Sequence, residues 1–235
     1  MSKSLVIFPT YNEKLNISKI IYRVLSEGFE VLVVDDNSPD KTYEIVEKII
    51  ASGENVHLIK RLEKLGLGSA YREGFTWALE KGYEFIIEMD ADFSHRLEDL
   101  VKIHNFKDIN TLIIGSRYIP EGQIVGWNLK RKLLSKYANK FAKLITKSQV
   151  NDMTSGFRIY PGKILKNIDF KSTTNNGYAF QIEMTHLVSK SGFDIREVPI
   201  TFEERRMGKS KLDKSIIKEA LIYLLLFRFK KNNKS

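Results

Sequence analysis

Short apolar runs and stretches of helical spacing follow one another regularly along the first half of the chain. Ser4–Phe8, Glu30–Val34, Val56–Ile59, Phe85–Met89 and Thr111–Gly115 are rich in Val, Ile, Leu and Phe and predict strands buried on both faces. Between them, Asn16–Glu27, the stretch from Ser38 to Ser52, Gly68–Glu80 and Leu97–Phe106 predict helices. Ser38 reads as an N-cap, with Pro39 at the first helical position and Asp40 in the first turn. The second half is less regular. Leu129–Lys147 and Gly177–Ser191 predict helices, Phe193–Pro199 a strand, and Ser215–Phe229 a last helix. Strand–helix alternation predicts an α/β fold with a doubly wound, mostly parallel sheet. In such sheets ligands bind outside the carboxyl ends of the strands.

Three of those ends carry polar clusters: Pro9-Thr10-Tyr11-Asn12-Glu13, Asp35 through Asp40, and Asp90-Ala91-Asp92. A shared site is the simplest account. Two carboxylates one residue apart, past a strand end, suit a hard divalent cation held together with substrate phosphates. Strand-end acids also cap helices, and the tripeptide alone does not separate the two readings. Tyr11 offers an aromatic face and Glu13 and Asp36 offer acceptors, as a nucleoside pocket would; taken alone, Asp35 and Asp36 read first as capping acids. His95 lies close behind the acid pair. Gly66-Leu67-Gly68 is not a dinucleotide fingerprint, because Tyr71 stands where a third glycine belongs and the motif does not follow the first strand.

Further along, Asp152, Ser155, Gly156 and Arg158 read as a tight turn with a charge pair. Gln181-Ile182-Glu183 sets two polar side chains on one side of an apolar segment, either toward a ligand or as a buried hydrogen-bonding pair. The run from Phe202 to Lys211 places a glycine among cationic residues, as a loop folding over phosphate would.

Composition narrows the classes. The 235 residues include no cysteine, which excludes disulfides and thiolate metal sites and fits a reducing compartment. No signal-peptide core follows Met1, and no apolar run reaches the roughly 18–20 residues of a spanning helix. The net charge of +9 favours polyanionic partners: phosphorylated ligands, nucleic acid or an anionic membrane. Its distribution on Leu129–Lys147 is informative. Lys132, Lys136, Lys140, Lys143 and Lys147 form one stripe, and Leu133, Leu134, Tyr137, Phe141, Leu144 and Ile145 an adjacent apolar sector. A basic amphipathic helix reads as a membrane-surface element or as an ordinary solvated face. Arg131 and Ser135, four apart on its flank, are spaced to grip one phosphate.

In order, these motifs resemble the polyprenyl-phosphate (dolichol-phosphate) mannosyltransferases, inverting family 2 glycosyltransferases of GT-A fold. The likeness is carried by Pro9–Glu13, Val34–Asp40, Gly66–Gly68, Met89–His95, Gly115–Tyr118, Asp152 with Ser155–Arg158, Gly177–Glu183 and Pro199–Lys211. It implies a GT-A domain over residues 1–212, followed by an apolar helix and basic tail over 213–235 with no transmembrane span. It implies GDP-mannose as donor, a polyprenyl or dolichyl phosphate as acceptor, and Mg²⁺ or Mn²⁺ at Asp90 and Asp92. Pro9, Tyr11, Glu13, Asp36, Ala91, Asp92 and Gln181 would contact the nucleotide sugar, with Arg205 and Lys211 closing on the diphosphate. Arg117, Arg131 and Ser135 would hold the acceptor phosphate; Asp90, Asp92, Arg117 and Arg131 would carry catalysis. Many relatives append transmembrane helices; this chain is expected to sit peripherally on the cytoplasmic face of a membrane, with room for a separate membrane-protein partner and no role for nucleic acid. Some relatives carry a metal-supporting Gln where this chain has Ser94. A UDP-sugar donor such as UDP-glucose, and a non-catalytic polyanion- or membrane-binding protein, are the alternatives.

Overall fold

A computed structural model describes residues 3–177 and 179–204. Arg205, Lys211 and the expected helix over 215–229 lie outside the described residues. In chain order the elements are β1 (Ser4–Thr10), α1 (Ile17–Ser26), β2 (Glu30–Asp35), α2 (Thr42–Ala51), β3 (Val56–Lys60), α3 (Leu67–Glu80), β4 (Phe85–Glu88), α4 (Leu97–His104) and β5 (Thr111–Ser116). They continue with β6 (Gln123–Val125), α5 (Leu129–Thr146), β7 (Arg158–Pro161), α6 (Gly162–Asn167), α7 (Ala179–Lys190), β8 (Asp194–Pro199) and β9 (Thr201–Glu203).

The main sheet has the order β3-β2-β1-β4-β7-β5-β8. All its pairings are parallel except those of β7, which runs antiparallel to both β4 and β5. The expected α/β fold with a mostly parallel sheet is therefore present. Successive strand side chains point to opposite faces, and the core divides accordingly. Leu5, Ile7, Leu32 and Val34 join α3, α6 and α7 on one side. Val6, Phe8, Val31 and Val33 join α1, α2 and α4 on the other. Burial on both faces is why these strands read as continuous apolar runs rather than as alternation.

β7 corrects the expected turn at Asp152–Arg158. Arg158 begins a central strand and is fully buried. Its guanidinium donates to the carbonyls of Ser155, Met153 and Gln181 and to Thr185 Oγ1, so a buried cation is held by neutral acceptors. A four-residue strand that starts with arginine and ends with proline offers only Ile159 and Tyr160 to the core, too short an apolar run to mark a strand. The pairing partner of Asp152 is Arg117, not Arg158.

The second helix also begins later than expected. α2 starts at Thr42, after Lys41 at φ +64°. Asp40 Oδ1 accepts from both the N–H and the hydroxyl of Thr42. Ser38 is instead drawn back onto Asp35, which accepts its N–H and its hydroxyl.

Candidate active site

The carboxyl ends of β1, β2 and β4 lie side by side because these strands are neighbours in the sheet. Their loops are tied together. Asn12 N donates to Ser38 Oγ at 2.9 Å, and Lys14 N donates to Asp40 Oδ2 at 3.0 Å. Asn12, Asn37, Lys41 and Phe93 all hold a positive φ near 60° in these loops. Such backbone is costly for non-glycine residues and concentrates at functional sites.

Asp35 is fully buried and accepts from Thr10 Oγ1 as well as Ser38, so it shapes the turn rather than capping a helix. Asp36 accepts from Arg61 Nη1 at 2.6 Å through one oxygen and from Gly66 N at 2.9 Å through the other. Burial pushes the Asp36 carboxyl up from its ordinary value, against the pull of Gly66 N–H and Arg61. Arg61 also donates to Ser69 Oγ. The carboxylate expected to meet a ribose thus also pins the segment between β3 and α3. Tyr11 stands nearby with Lys64 Nζ 4.1 Å from its ring centroid. Glu13 is buried and accepts from Asn16 Nδ2, while its N–H donates to Thr42. Pro9 is half-buried in β1.

The Gly66-Leu67-Gly68 stretch has a packing role. A Cβ on Gly68 would collide with the Asn175 carbonyl, and one on Gly66 would reach Asn176 Cβ at 3.0 Å. The loop before α7 thus rests directly on the start of α3. Glu183 braces that loop by accepting the N–H groups of Thr174 and Asn175.

Asp90 and Asp92 follow β4. The Asp90 side chain is 38% exposed, with Oδ2 3.4 Å from His95 Nε2. Asp92 Oδ1 accepts from the N–H and hydroxyl of Ser94, so Ser94 orients a carboxylate directly. Among the described residues no cluster of three or more His, Cys, Asp or Glu side chains could hold a metal ion. Two oriented carboxylates fit a hard cation whose remaining ligands come from phosphate and water. Ala91 turns its methyl into the apolar core. Gln181 is fully buried and donates through Nε2 to Glu88 Oε2 at 2.8 Å. Glu88 lies in β4, where burial pushes its carboxyl up to about 8 against the opposing influence of Arg158 and Gln181. Gln181 is thus a buried hydrogen-bonding partner of Glu88, and its Oε1 is left with no partner.

The arginines expected at the acceptor come together around aromatics. Arg117 grips Asp152 through Nε and Nη2, both at 2.7 Å, and donates its backbone N–H to the same carboxylate. Burial works against the Asp152 charge, yet Arg117 holds its carboxyl below the usual range. Glu197 on β8 fixes this loop by accepting the N–H groups of Asn151 and Asp152. The Arg131 guanidinium lies 4.0 Å from the Trp127 ring centroid, and that of Arg117 lies 5.8 Å from it. Arg131 also pairs with Glu204 at 3.1 Å. Ser135 Oγ accepts from Tyr118 OH at 2.7 Å rather than standing beside Arg131 alone. Phe202 joins the two halves, with its ring edge-on to both His95 and Trp127.

Arg61 and Trp127 were not legible as site residues. A cation at a strand end and a tryptophan before a helix carry no periodic signal, although the pairing of β2 and β3 brings their carboxyl ends, and so Asp36 and Arg61, together.

The family model described as glycosyl transferase family 2 matches residues 5–169. The chain belongs to glycosyl transferase family 2. It is a glycosyltransferase of GT-A fold. Polyprenol monophosphomannose synthase of Mycolicibacterium smegmatis is 42% identical over 223 residues, covering 93% of this chain and 84% of that protein. Undecaprenyl-phosphate mannosyltransferase of Micrococcus luteus is 40% identical over 220 residues, covering 93% and 90%. The resemblance read from the motifs is therefore borne out. Among solved structures, glucosyl-3-phosphoglycerate synthase of Mycobacterium tuberculosis, in complex with Mn²⁺, UDP-glucose and phosphoglyceric acid, superposes with a TM-score of 0.68 at 17% identity, covering 97% of this chain and 80% of that one. A mannosyltransferase from Pyrobaculum calidifontis in complex with GDP-Man and Mn²⁺ gives 0.58 at 15%, covering 99% and 64%. At these identities the structural likeness speaks for the fold alone.

Proposed function

We propose that this glycosyltransferase moves mannose from GDP-mannose to a polyprenyl or dolichyl phosphate. The observation that carries this reading is the 42% and 40% identity, over nearly the whole chain, to two enzymes named for mannose and a polyprenyl phosphate. The site chemistry supports it.

A phosphate monoester has its second pKa near 6 and is largely dianionic at neutral pH. It needs no strong base to act as a nucleophile. Its oxygen attacks the anomeric carbon, the bond from that carbon to the diphosphate oxygen breaks, and GDP leaves with the electron pair. One in-line displacement inverts the centre and gives a β-mannosyl phosphate. The work left to the protein is positioning and charge stabilisation.

Asp90 and Asp92 would hold Mg²⁺ or Mn²⁺, which when bound neutralises charge growing on the departing diphosphate. Ser94 keeps Asp92 oriented for that role. Tyr11, Glu13, Asp36 and the Ala91 backbone would meet the nucleoside, with Arg205 and Lys211 on the diphosphate. Arg117 and Arg131, with Ser135, would hold the acceptor phosphate beside Trp127.

Attachment to the cytoplasmic face of a membrane would run through α5. Among the described residues no helix is long and apolar enough to cross a membrane. The apolar sector of α5 divides. Phe141 and Ile145 pack on the core, while Leu133, Leu134, Tyr137 and Leu144 stay exposed beside Lys136, Lys140 and Lys147. Exposed leucines flanked by lysines suit the interface of an anionic leaflet, and they leave room for a membrane-protein partner.

The test is transfer of labelled sugar to a polyprenyl phosphate in detergent, from GDP-mannose against UDP-glucose, with Mn²⁺ or with chelator. Cation-dependent lipid-linked mannose is expected. Label from UDP-glucose would replace the donor, and absence of transfer from every donor would overturn the reading.

A further inference from the structure

Lys64 lies in the loop between β3 and α3, and that loop is tied at both ends to the end of β2. At its start Arg61 donates its backbone N–H to the Asp35 carbonyl at 2.9 Å and its guanidinium to Asp36. The next carbonyl, that of Leu62, accepts from Asn37 Nδ2 at 2.8 Å. At the far end Gly66 N donates to the other Asp36 oxygen. Lys64 therefore hangs from a short span that is fixed on either side. The neighbouring cations are committed elsewhere: Arg61 to Asp36 and Glu73, and Lys60 to the Tyr43 ring, 3.3 Å from its centroid. The Lys64 side chain instead crosses to the loop after β1, where its Nζ lies 4.1 Å from the Tyr11 ring centroid.

That placement suits a base. The strand order β3-β2-β1-β4 sets the Lys64 loop at one end of a row and the acid pair at the other. A nucleotide laid along the row, with its diphosphate at Asp90 and Asp92 and its ribose at Asp36, turns its base toward Lys64. An ammonium 4.1 Å from the ring centre stands close to the level of a second flat ring stacked on Tyr11, roughly 3.5–4.0 Å away. A base on that face meets the ammonium at its edge, where ring nitrogens and carbonyls accept hydrogen bonds. Lysine brings three donors and no acceptor on a flexible stem, so it selects an edge made of acceptors. Guanine presents O6 and N7 side by side. Adenine puts an amino donor in place of O6, and a pyrimidine such as uracil offers O4 alone. Resting on the proposed donor and nucleoside pocket, we infer that Lys64 is a specificity-determining residue: it reads the guanine through O6 and N7 while the base stacks on Tyr11.

The experiment titrates wild type and Lys64→Ala with GDP, 7-deaza-GDP, UDP and inorganic pyrophosphate, each in the presence of Mn²⁺. Lys64→Ala should weaken GDP by about tenfold or more, the range of a hydrogen bond from a charged group. UDP and pyrophosphate should stay within about twofold of wild type. Wild type should bind GDP more tightly than its 7-deaza analogue, which lacks the N7 acceptor, and Lys64→Ala should bind the two alike. The thermal midpoint should match wild type, since the Lys64 side chain is exposed. Unchanged GDP affinity overturns the inference. A parallel fall for GDP, UDP and pyrophosphate does so too, because it assigns Lys64 to the diphosphate. So does a variant that separates GDP from 7-deaza-GDP as well as wild type does. The wild-type arm reports on the proposed donor separately. A wild type that does not prefer GDP to UDP overturns the donor and the guanine reading together. A wild type that prefers GDP, with the same preference kept in Lys64→Ala, overturns the role of Lys64 and leaves the donor standing.

Discussion

Arg61 Nη1 lies 2.6 Å from Asp36 Oδ1, with both side chains less than a tenth exposed. The pair joins the ends of β2 and β3 and, through Gly66 N on the other Asp36 oxygen, sets the start of α3. Arg61→Met would leave a buried carboxylate without its cation. We expect a loss of about 3 kcal/mol of stability, read as an earlier chemical-denaturation midpoint. Arg61→Met combined with Asp36→Leu should be less destabilised than Arg61→Met alone. If both variants unfold like wild type, the pair has no structural role.

Asp92→Asn keeps an oxygen to accept from Ser94 and removes the charge. Sugar transfer should fall by about 100-fold or more, in line with the loss of one preorganised electrostatic contact at a reacting group. The circular dichroism spectrum and thermal midpoint should be unchanged. Near-normal transfer would remove Asp92 from the cation site.

Arg117 and Asp152 form a two-pronged pair that lysine cannot reproduce, because an ammonium is a point charge without the planar fork. Arg117→Lys should raise the KM for polyprenyl phosphate by about tenfold while leaving GDP affinity alone. Asp152→Asn should instead destabilise the fold, since it leaves Arg117 buried without its counter-charge. Steady-state kinetics and thermal denaturation separate the two effects.

His104 contacts Ser4 Oγ at 2.9 Å and the Phe29 ring edge-on. Burial lowers its pKa to about 4, with Lys107 adding to the effect. An unfolded histidine takes up a proton near 6.5. The unfolded state therefore binds the extra proton first as pH falls, so this contribution is whole above about 6.5 and drains away toward 4. Urea titrations across that interval should show falling stability, with a shallower slope in His104→Phe. Equal slopes would assign the decline to other groups.

Lys136→Glu with Lys140→Glu reverses two exposed charges on α5, far in sequence from the acid pair. Sedimentation with vesicles containing anionic lipid should show binding weakened by roughly 1 kcal/mol per lost lysine, and more for reversal. Activity on a short, water-soluble polyprenyl phosphate should persist. Unaltered vesicle binding would move the membrane contact elsewhere.

Much of this protein was legible from local pattern alone. Strands β1 to β5 and the helices between them follow from apolar runs and helical spacing, because burial on both faces of β1, β2, β4 and β5 leaves an unbroken hydrophobic record. The positions of Asp90 and Asp92 followed from one such run ending at Met89. The second half was harder to read. α5 was placed almost to the residue, yet its apolar sector divides between core and surface, a division that depends on what packs against it. β7 was invisible because only Ile159 and Tyr160 mark it as apolar, and the hydrogen bonds that bury Arg158 at its start leave no local pattern. Asp36 with Arg61, Arg117 with Asp152, and Gln181 with Glu88 are separated by 25, 35 and 93 residues. A charge in a sequence states only that a partner is needed when it is buried. Which partner answers is decided by strand order and by the enclosure that makes an unpaired group too costly to keep.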